Sequence, residues 1–288
     1  MDKNLIELKQ KVVGDRKLVV TFTSFPARIG TVHIPVERML KNSIAPDKIV
    51  LYLAKTQFQN ELEDVSEELR GLLESEPKFE IRFVEKDRKQ FKGLMSAVRD
   101  FPDDYIVNID DDMRYRYDTI SALLSRAAKH PGCIIGNYVR LMRLDKRGEI
   151  MGYFKGSTNK FFSNWFIKGK GFQPQFRYYT IQTGGALYPP NSLHKDFIDE
   201  AVFEEFNPQS GDIYFWIMAI RAGTKTVPAR IWKRHRYVRG SQKVNLRKIN
   251  NARQKNGTRG IKKDEILKTN LEHFSDAYAV LKEESQKR

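Results

Sequence analysis

Cysteine is nearly missing from this sequence: Cys133 is the only one in 288 residues. A lone thiol excludes an internal disulfide framework and any all-cysteine metal site, so the chain fits a reducing compartment and Cys133 reads as a buried structural thiol. Long apolar runs are missing as well. No segment approaches the roughly 20 apolar residues that span a bilayer, and the N-terminus MDKNLIELKQKVVGDRKLVV lacks the apolar core of a secretory leader. The expected location is the cytoplasm, free or peripheral on the inner face of the membrane. Solenoid repeats are not evident. Acidic residues vanish from one stretch. Between Arg230 and Lys263 there are 13 basic residues and no Asp or Glu, a large part of the net charge of +15. Nucleic acid, anionic lipid headgroups and diphosphate-bearing substrates could all use such a tract, and charge alone does not choose among them.

What is present is enough to build a core. Hydrophobic residues make up 40% and aromatic residues 11% of the chain, which suits one large domain or one with a small appendage. Leu18 to Phe25 (LVVTFTSF) has the β-branched and aromatic content of a strand, broken by Pro26 and followed by the helical pattern HIPVERMLKNS. IVLYLA, the helix ELEDVSEELRGLLES, FEIRFV, the helix FKGLMSAVRDF and a strand YIVNI continue the alternation. Strand and helix in turn predict an α/β fold with a mostly parallel central sheet flanked by helices. Ligands in such sheets sit beyond the carboxyl ends of the strands. After Asp118 come a helix, a short strand at Cys133 to Ile135, and an irregular region rich in aromatics and Gly, FKGSTNKFFSNWFIKGKGFQPQFRYYTIQTGGALYPPNSL. An apolar helix IYFWIMAIRAG and a closing helix ILKTNLEHFSDAYAVLKEE complete the chain. The expected division is residues 1–118 as a nucleotide half and 119–288 as an acceptor half of the same domain, the latter with the basic tract and closing helix.

The sharpest motif is YIVNIDDDMRY, Tyr105 to Tyr115. A buried strand running directly into three carboxylates sets up like-charge repulsion that a cation relieves. Asp110 and Asp112, one residue apart, can both face a divalent ion that also bridges phosphate oxygens; Asp111 points differently and can cap backbone or meet a ligand hydroxyl. A solvated turn is the plain alternative. Asp212 stands at the mouth of an apolar helix, as a base for an acceptor hydroxyl or as a simple N-cap. Gly184 and Gly185, ahead of Ala186-Leu187-Tyr188-Pro189-Pro190, suggest close backbone approach to a ligand or an ordinary turn.

Together these segments resemble bacterial nucleotide-sugar glycosyltransferases of the GT-A fold, of the capsule and lipopolysaccharide type. VVTFTSFPARI is similar to that family's first strand and donor loop, the aspartate triplet to its DxD motif, GGALYPPNSL to its acceptor-side loop, and GDIYFWIMAIRAG to its acidic helix start. The resemblance spans roughly Leu18 to His235. It implies a GT-A-like fold whose irregular region serves the acceptor, and manganese or magnesium held by Asp110, Asp112 and His235. Thr21, Thr23, Ser24, Arg28, Lys92, Asp110 and Asp111 would lie at the nucleotide, with Asp212 as catalytic base. The implied partners are a nucleoside diphosphate sugar, a UDP-sugar by family habit, and a saccharide or lipid-linked acceptor, with contact to an anionic membrane. This chain departs from the pattern at Gly211, Asp212 and Tyr214, where the family usually carries two adjacent acids and a Trp. Two alternatives remain. One is a nucleotidyltransferase or other metal-dependent phosphate enzyme, weakened by the missing Gly-rich phosphate loop. The other is a basic nucleic-acid-binding protein, ranked last because no helix-turn-helix, zinc-finger or aromatic ribonucleoprotein signature accompanies the charge.

Overall fold

The computed structural model describes residues 2–152, 173–229, 235–243 and 263–286. The chain divides into two compact units: Met1–Ser121 with Ile231–Gly260, and Ala122–Arg230 with Ile261–Arg288.

In the first unit, β1 (Leu18–Thr23), β2 (Lys48–Ala54), β3 (Phe79–Val84) and β4 (Tyr105–Asn108) are all parallel and lie in the order β3-β2-β1-β4. β1 and β2 are almost wholly buried, as strands with both faces covered must be, and their β-branched and aromatic content follows from that. The start of β1 is fixed by carboxylates: Lys17 N–H donates to Asp104 and Leu18 N–H to Asp47, both at 2.8 Å. Helix α1 (Lys3–Val13), outside the strand–helix alternation expected from Leu18 onward, precedes β1; Asp2 caps it by accepting from Asn4 N–H. Helices α2 (His33–Leu40) and α3 (Glu67–Ser75) follow the expected alternation. The expected helix over residues 61–75 is shortened, however, to a 3₁₀ turn at Glu61–Asp64 and then α3, leaving Leu62 exposed. Helix α4 (Lys92–Asp100) packs closest on β1, for a Cβ added at Gly93 would stand 3.0 Å from the carbonyl carbon of Phe22. Glycine there lets helix and strand backbones approach.

Helix α5 (Thr119–Ala127) contains the point at which the units divide. In the second unit β6 (Ile134–Gly136) pairs in parallel with β10 (Thr226–Pro228) and antiparallel with β9 (Ala186–Tyr188). β7 (Val139–Leu141) and β8 (Tyr178–Thr180) form an antiparallel pair. The irregular aromatic region is thus partly strand; its residues 153–172 lie outside the described residues. Helix α6 (Glu200–Phe206) leads to α7 (Gly211–Arg221), which is apolar nearly all round and buried from Ile213 to Ile220, the expected behaviour of a helix without a polar face. The single closing helix is two helices, α8 (Lys263–His273) and α9 (Ser275–Gln286). Between them Phe274 turns into an aromatic cluster, 4.9 Å from the ring of Phe206 and 5.0 Å from the Arg221 guanidinium.

The architecture that the sequence implied, a mostly parallel sheet flanked by helices, is present in this Rossmann-like form. Among the described residues no helix is long and apolar enough to cross a membrane. Most of the basic tract, including residues 230–234 and 244–262, lies outside the described residues.

Candidate functional site

Because β1 and β4 are adjacent and parallel, their carboxyl ends emerge side by side, and Ile109 N–H still donates to the Thr21 carbonyl at 3.0 Å. The aspartate triplet begins at the next residue. After β1, Pro26 opens a 3₁₀ turn (Pro26–Thr31) that curls Arg28 back toward the triplet, its guanidinium over the Phe25 ring. Arg28 reaches Asp111 at 2.5 Å and Asp112 at 3.2 Å. Ser24 donates to the other Asp111 oxygen at 2.5 Å. Both Asp111 and Asp112 are buried, while Asp110 is partly open.

Burial pushes the Asp111 carboxyl above the usual carboxylate range; Arg28 and Ser24 pull it back, and neighbouring Asp112 raises it again. Asp110 N–H donates to the Tyr115 hydroxyl at 2.8 Å, and Tyr115 is fully buried. Desolvation, reinforced by Asp110, keeps that phenol protonated well above its ordinary value.

A third segment closes on the same place. β11 (Arg236–Tyr237) pairs antiparallel with β5 (Met113–Arg114), Val238 N–H donates to the Asp112 carbonyl at 2.8 Å, and Gln242 Nε2 donates to Asp112 Oδ2 at 2.7 Å. His235 belongs to this segment. Its Nδ1 accepts from Arg116 N–H at 3.2 Å, and its ring lies 5.0 Å from that of Tyr115. The neutral ring therefore carries its proton on Nε2.

Other expected residues are engaged differently. Thr21 Oγ1 donates to the Gly93 carbonyl at 3.1 Å, tying β1 to α4, and Thr23 Oγ1 donates to the Tyr52 carbonyl at 2.8 Å, tying β1 to β2. Lys92 is buried and pairs with Asp87 at 3.0 Å. Burial lowers its proton affinity, while Asp87 and then Asp111 raise it. A cleft of about 400 Å³ opens beside the Arg28 turn, lined by Pro26, Ile29, Gln57, Phe58, Asn60 and Asp64 among others. The Gln57 side-chain oxygen is buried there with no hydrogen-bond partner among the described residues.

In the second unit, Asp212 is half-buried in the first turn of α7 and accepts from Gln182 N–H at 3.3 Å; the N-cap residue is Ser210. Desolvation raises its pKa, opposed by Lys263 and then by Arg140. The sign of the consequence is fixed. A carboxyl whose folded pKa exceeds its unfolded value contributes stability that is present below the unfolded pKa and is lost as pH rises through the folded one. The melting temperature of Asp212→Asn relative to wild type is therefore expected to be most favourable near pH 8 and to fall steadily toward pH 4. A difference that stays flat across that range would contradict the burial account.

Gly184 does not offer its backbone to a ligand. An added Cβ would lie 2.8 Å from Tyr138 N and 2.7 Å from its ring, so Tyr138 occupies that space, and Asn137 Nδ2 holds the Gly184 carbonyl at 2.9 Å. Gly184→Ala is expected to destabilise by about 1–3 kcal/mol through overpacking, read as a lowered denaturant midpoint.

Gln242, Tyr115, Gln57 and Gln182 were not anticipated as site residues. Tyr115 stood inside the quoted motif, but nothing local in the sequence marks Gln242, which meets Asp112 from 130 residues away.

The three segments meet at one edge of a Rossmann-like sheet and give it an acidic centre. No family model and no curated protein matches the chain. Among solved structures it is similar to a 4-diphosphocytidyl-2C-methyl-D-erythritol synthase, at 10% identity and a TM-score of 0.46, covering 83% of this chain and 98% of that one. It is also similar to a CMP:2-keto-3-deoxy-manno-octonic acid synthetase complexed with CTP, at 12% identity and a TM-score of 0.45, covering 84% of this chain and 99% of that one. These neighbours are by name cytidine-nucleotide synthases, and with them the GT-A glycosyltransferase assignment is corrected. The correction extends to the capsule and lipopolysaccharide context, the sugar donor, the saccharide or lipid-linked acceptor and the membrane contact that came with it. At TM-scores of 0.46 and 0.45 the likeness assigns no activity to this chain, so the chemistry must be argued from the site itself.

Proposed function

We propose that this chain is a metal-assisted nucleotidyltransferase. An acceptor oxygen would attack the α-phosphorus of a nucleoside triphosphate, the bond to the β-phosphate oxygen would break, and pyrophosphate would leave. The observation that carries the reading is the carboxylate cluster itself: Asp110, Asp111 and Asp112 just after β4, with Arg28, from the turn after the parallel neighbour β1, against Asp111 and Asp112.

The donor set fits magnesium or manganese. Among the described residues no three His, Cys, Asp or Glu side chains form a ready-made cage. These ions in nucleotide enzymes commonly take only one or two carboxylates and complete their shells with water and substrate phosphates. Asp110 and Asp112 are the side chains that would hold the ion, and when bound it supplies Lewis-acid stabilisation of the departing pyrophosphate.

The chain's own residues have distinct duties in this scheme. Ser24 and Arg28 fix Asp111, which leaves Asp110 and Asp112 oriented for the ion. The cleft beside the Arg28 turn is assigned to the base of the nucleotide. Lys92 is placed to sense charge at Asp111.

A thermal-shift series with four nucleoside triphosphates, each with and without manganese, tests this function. Cytidine triphosphate, named for one of the similar structures, comes first. Ligand at a hundred times its Kd stabilises by about 2.7 kcal/mol, a rise on the order of 5 °C for a chain of this size. The rise is expected only when nucleotide and metal are both present. No response to any triphosphate would overturn the assignment.

A further inference from the structure

The segment from His235 to Gln242 is fastened to the triplet at several points, and the Gln242 side chain donates to a carboxylate proposed to hold the ion. Gln242 Nε2 lies 2.7 Å from Asp112 Oδ2, the same oxygen that faces Arg28 at 3.2 Å. The backbone behind it is anchored, with Val238 N–H on the Asp112 carbonyl at 2.8 Å and Ser241 Oγ donating to the Val238 carbonyl at 2.8 Å. The Gln242 donor and the Arg28 charge, both on Oδ2, restrain the rotation of the Asp112 carboxylate, and the other oxygen, Oδ1, is thereby directed.

We propose that Gln242 is a positioning residue for the metal: by holding Oδ2 of Asp112 together with Arg28, it presents Oδ1 to a divalent cation. The inference rests on the nucleotidyltransferase reading and assigns a part in it to a residue far away in the sequence. A neutral amide on the second oxygen orients the carboxylate without adding a further positive charge to that of Arg28. One left to rotate must lose that freedom when the ion binds, and loss of such supporting partners typically weakens metal affinity about 10–100-fold.

Manganese binding, read from the electron paramagnetic resonance signal of the free ion, tests this without any turnover. Gln242→Met keeps the length of the side chain and removes the donor; Gln242→Asn keeps the carboxamide on a shorter stem and serves as the second variant. Gln242→Met is expected to weaken manganese binding by about 10-fold or more, with a circular dichroism spectrum like that of the wild type. If Gln242→Met unfolds, a comparable weakening in Gln242→Asn supports the assignment. A folded variant of either kind with wild-type manganese affinity overturns the role of Gln242 alone. A wild-type protein that binds no manganese, with or without nucleotide, overturns the metal site and this inference with it.

Discussion

Replacing Arg28 with alanine is expected to destabilise the fold by about 3–5 kcal/mol near pH 7.5, the typical cost of removing one partner of a buried ion pair. The guanidinium sits between two buried carboxylates, and nothing in Ser24 replaces its charge. The pH dependence follows from Asp111, whose pKa burial already raises. Without Arg28, which opposes that rise, its pKa climbs further. The deficit of the variant should therefore be largest at neutral pH and shrink on acidification, as Asp111 takes up a proton and the uncompensated charge disappears. Urea denaturation of both proteins between pH 4.5 and 8 measures it. A deficit that is small at neutral pH, or that grows on acidification, would show that Arg28 is not the counter-charge of the triplet.

Asp112→Asn is expected to lower metal-dependent turnover at least about a hundredfold, since several kcal/mol of electrostatic stabilisation correspond to two or more powers of ten in rate. The replacement keeps size and keeps an oxygen for Gln242 while removing the charge that would hold the ion. Stability should change little or improve, because a carboxylate crowded by Asp111 is removed. Pyrophosphate release at saturating nucleotide, measured over a range of manganese concentrations, gives the effect. Activity within a few-fold of wild type would remove Asp112 from the metal site.

Much of the fold was legible because its strands are buried on both sides. LVVTFT and KIVLYLA are short runs dominated by apolar, β-branched and aromatic residues, which suits central parallel strands, and their placement puts the residues after Ile109 at the carboxyl edge of the sheet. Helix α1 was missed because its apolar face is narrow, with Val13 its one buried residue. The hydroxyls of Thr21 and Thr23 looked available for a nucleotide, but a strand threonine next to a neighbouring backbone finds a carbonyl first. Gly184 was similar: the need for close approach was visible, but not that Tyr138 is the group approaching.

The site divided along the same line. Ser24, Arg28 and the triplet lie within two short segments at adjacent strand ends; pattern marked the aspartates, and the resemblance to glycosyltransferases marked Ser24 and Arg28. Gln242 joins them only through the pairing of β11 with β5, and Gln57 only through the fold of the loop after β2, neither of which leaves a local signature. The resemblance to glycosyltransferases grew from a first strand, an acidic strand end and an apolar helix. Those are features of Rossmann-like architecture at large, and architecture is shared more widely than activity.

The claim at the centre is that Asp110 and Asp112 hold a divalent cation against the phosphates of a nucleotide. Anomalous diffraction from crystals grown with manganese and a nucleoside triphosphate measures this directly. The expected result is a single manganese peak within about 2.0–2.3 Å of oxygens from both aspartates and in contact with phosphate. Nucleotide bound elsewhere, or manganese absent from those two carboxylates while the nucleotide is present, would contradict it.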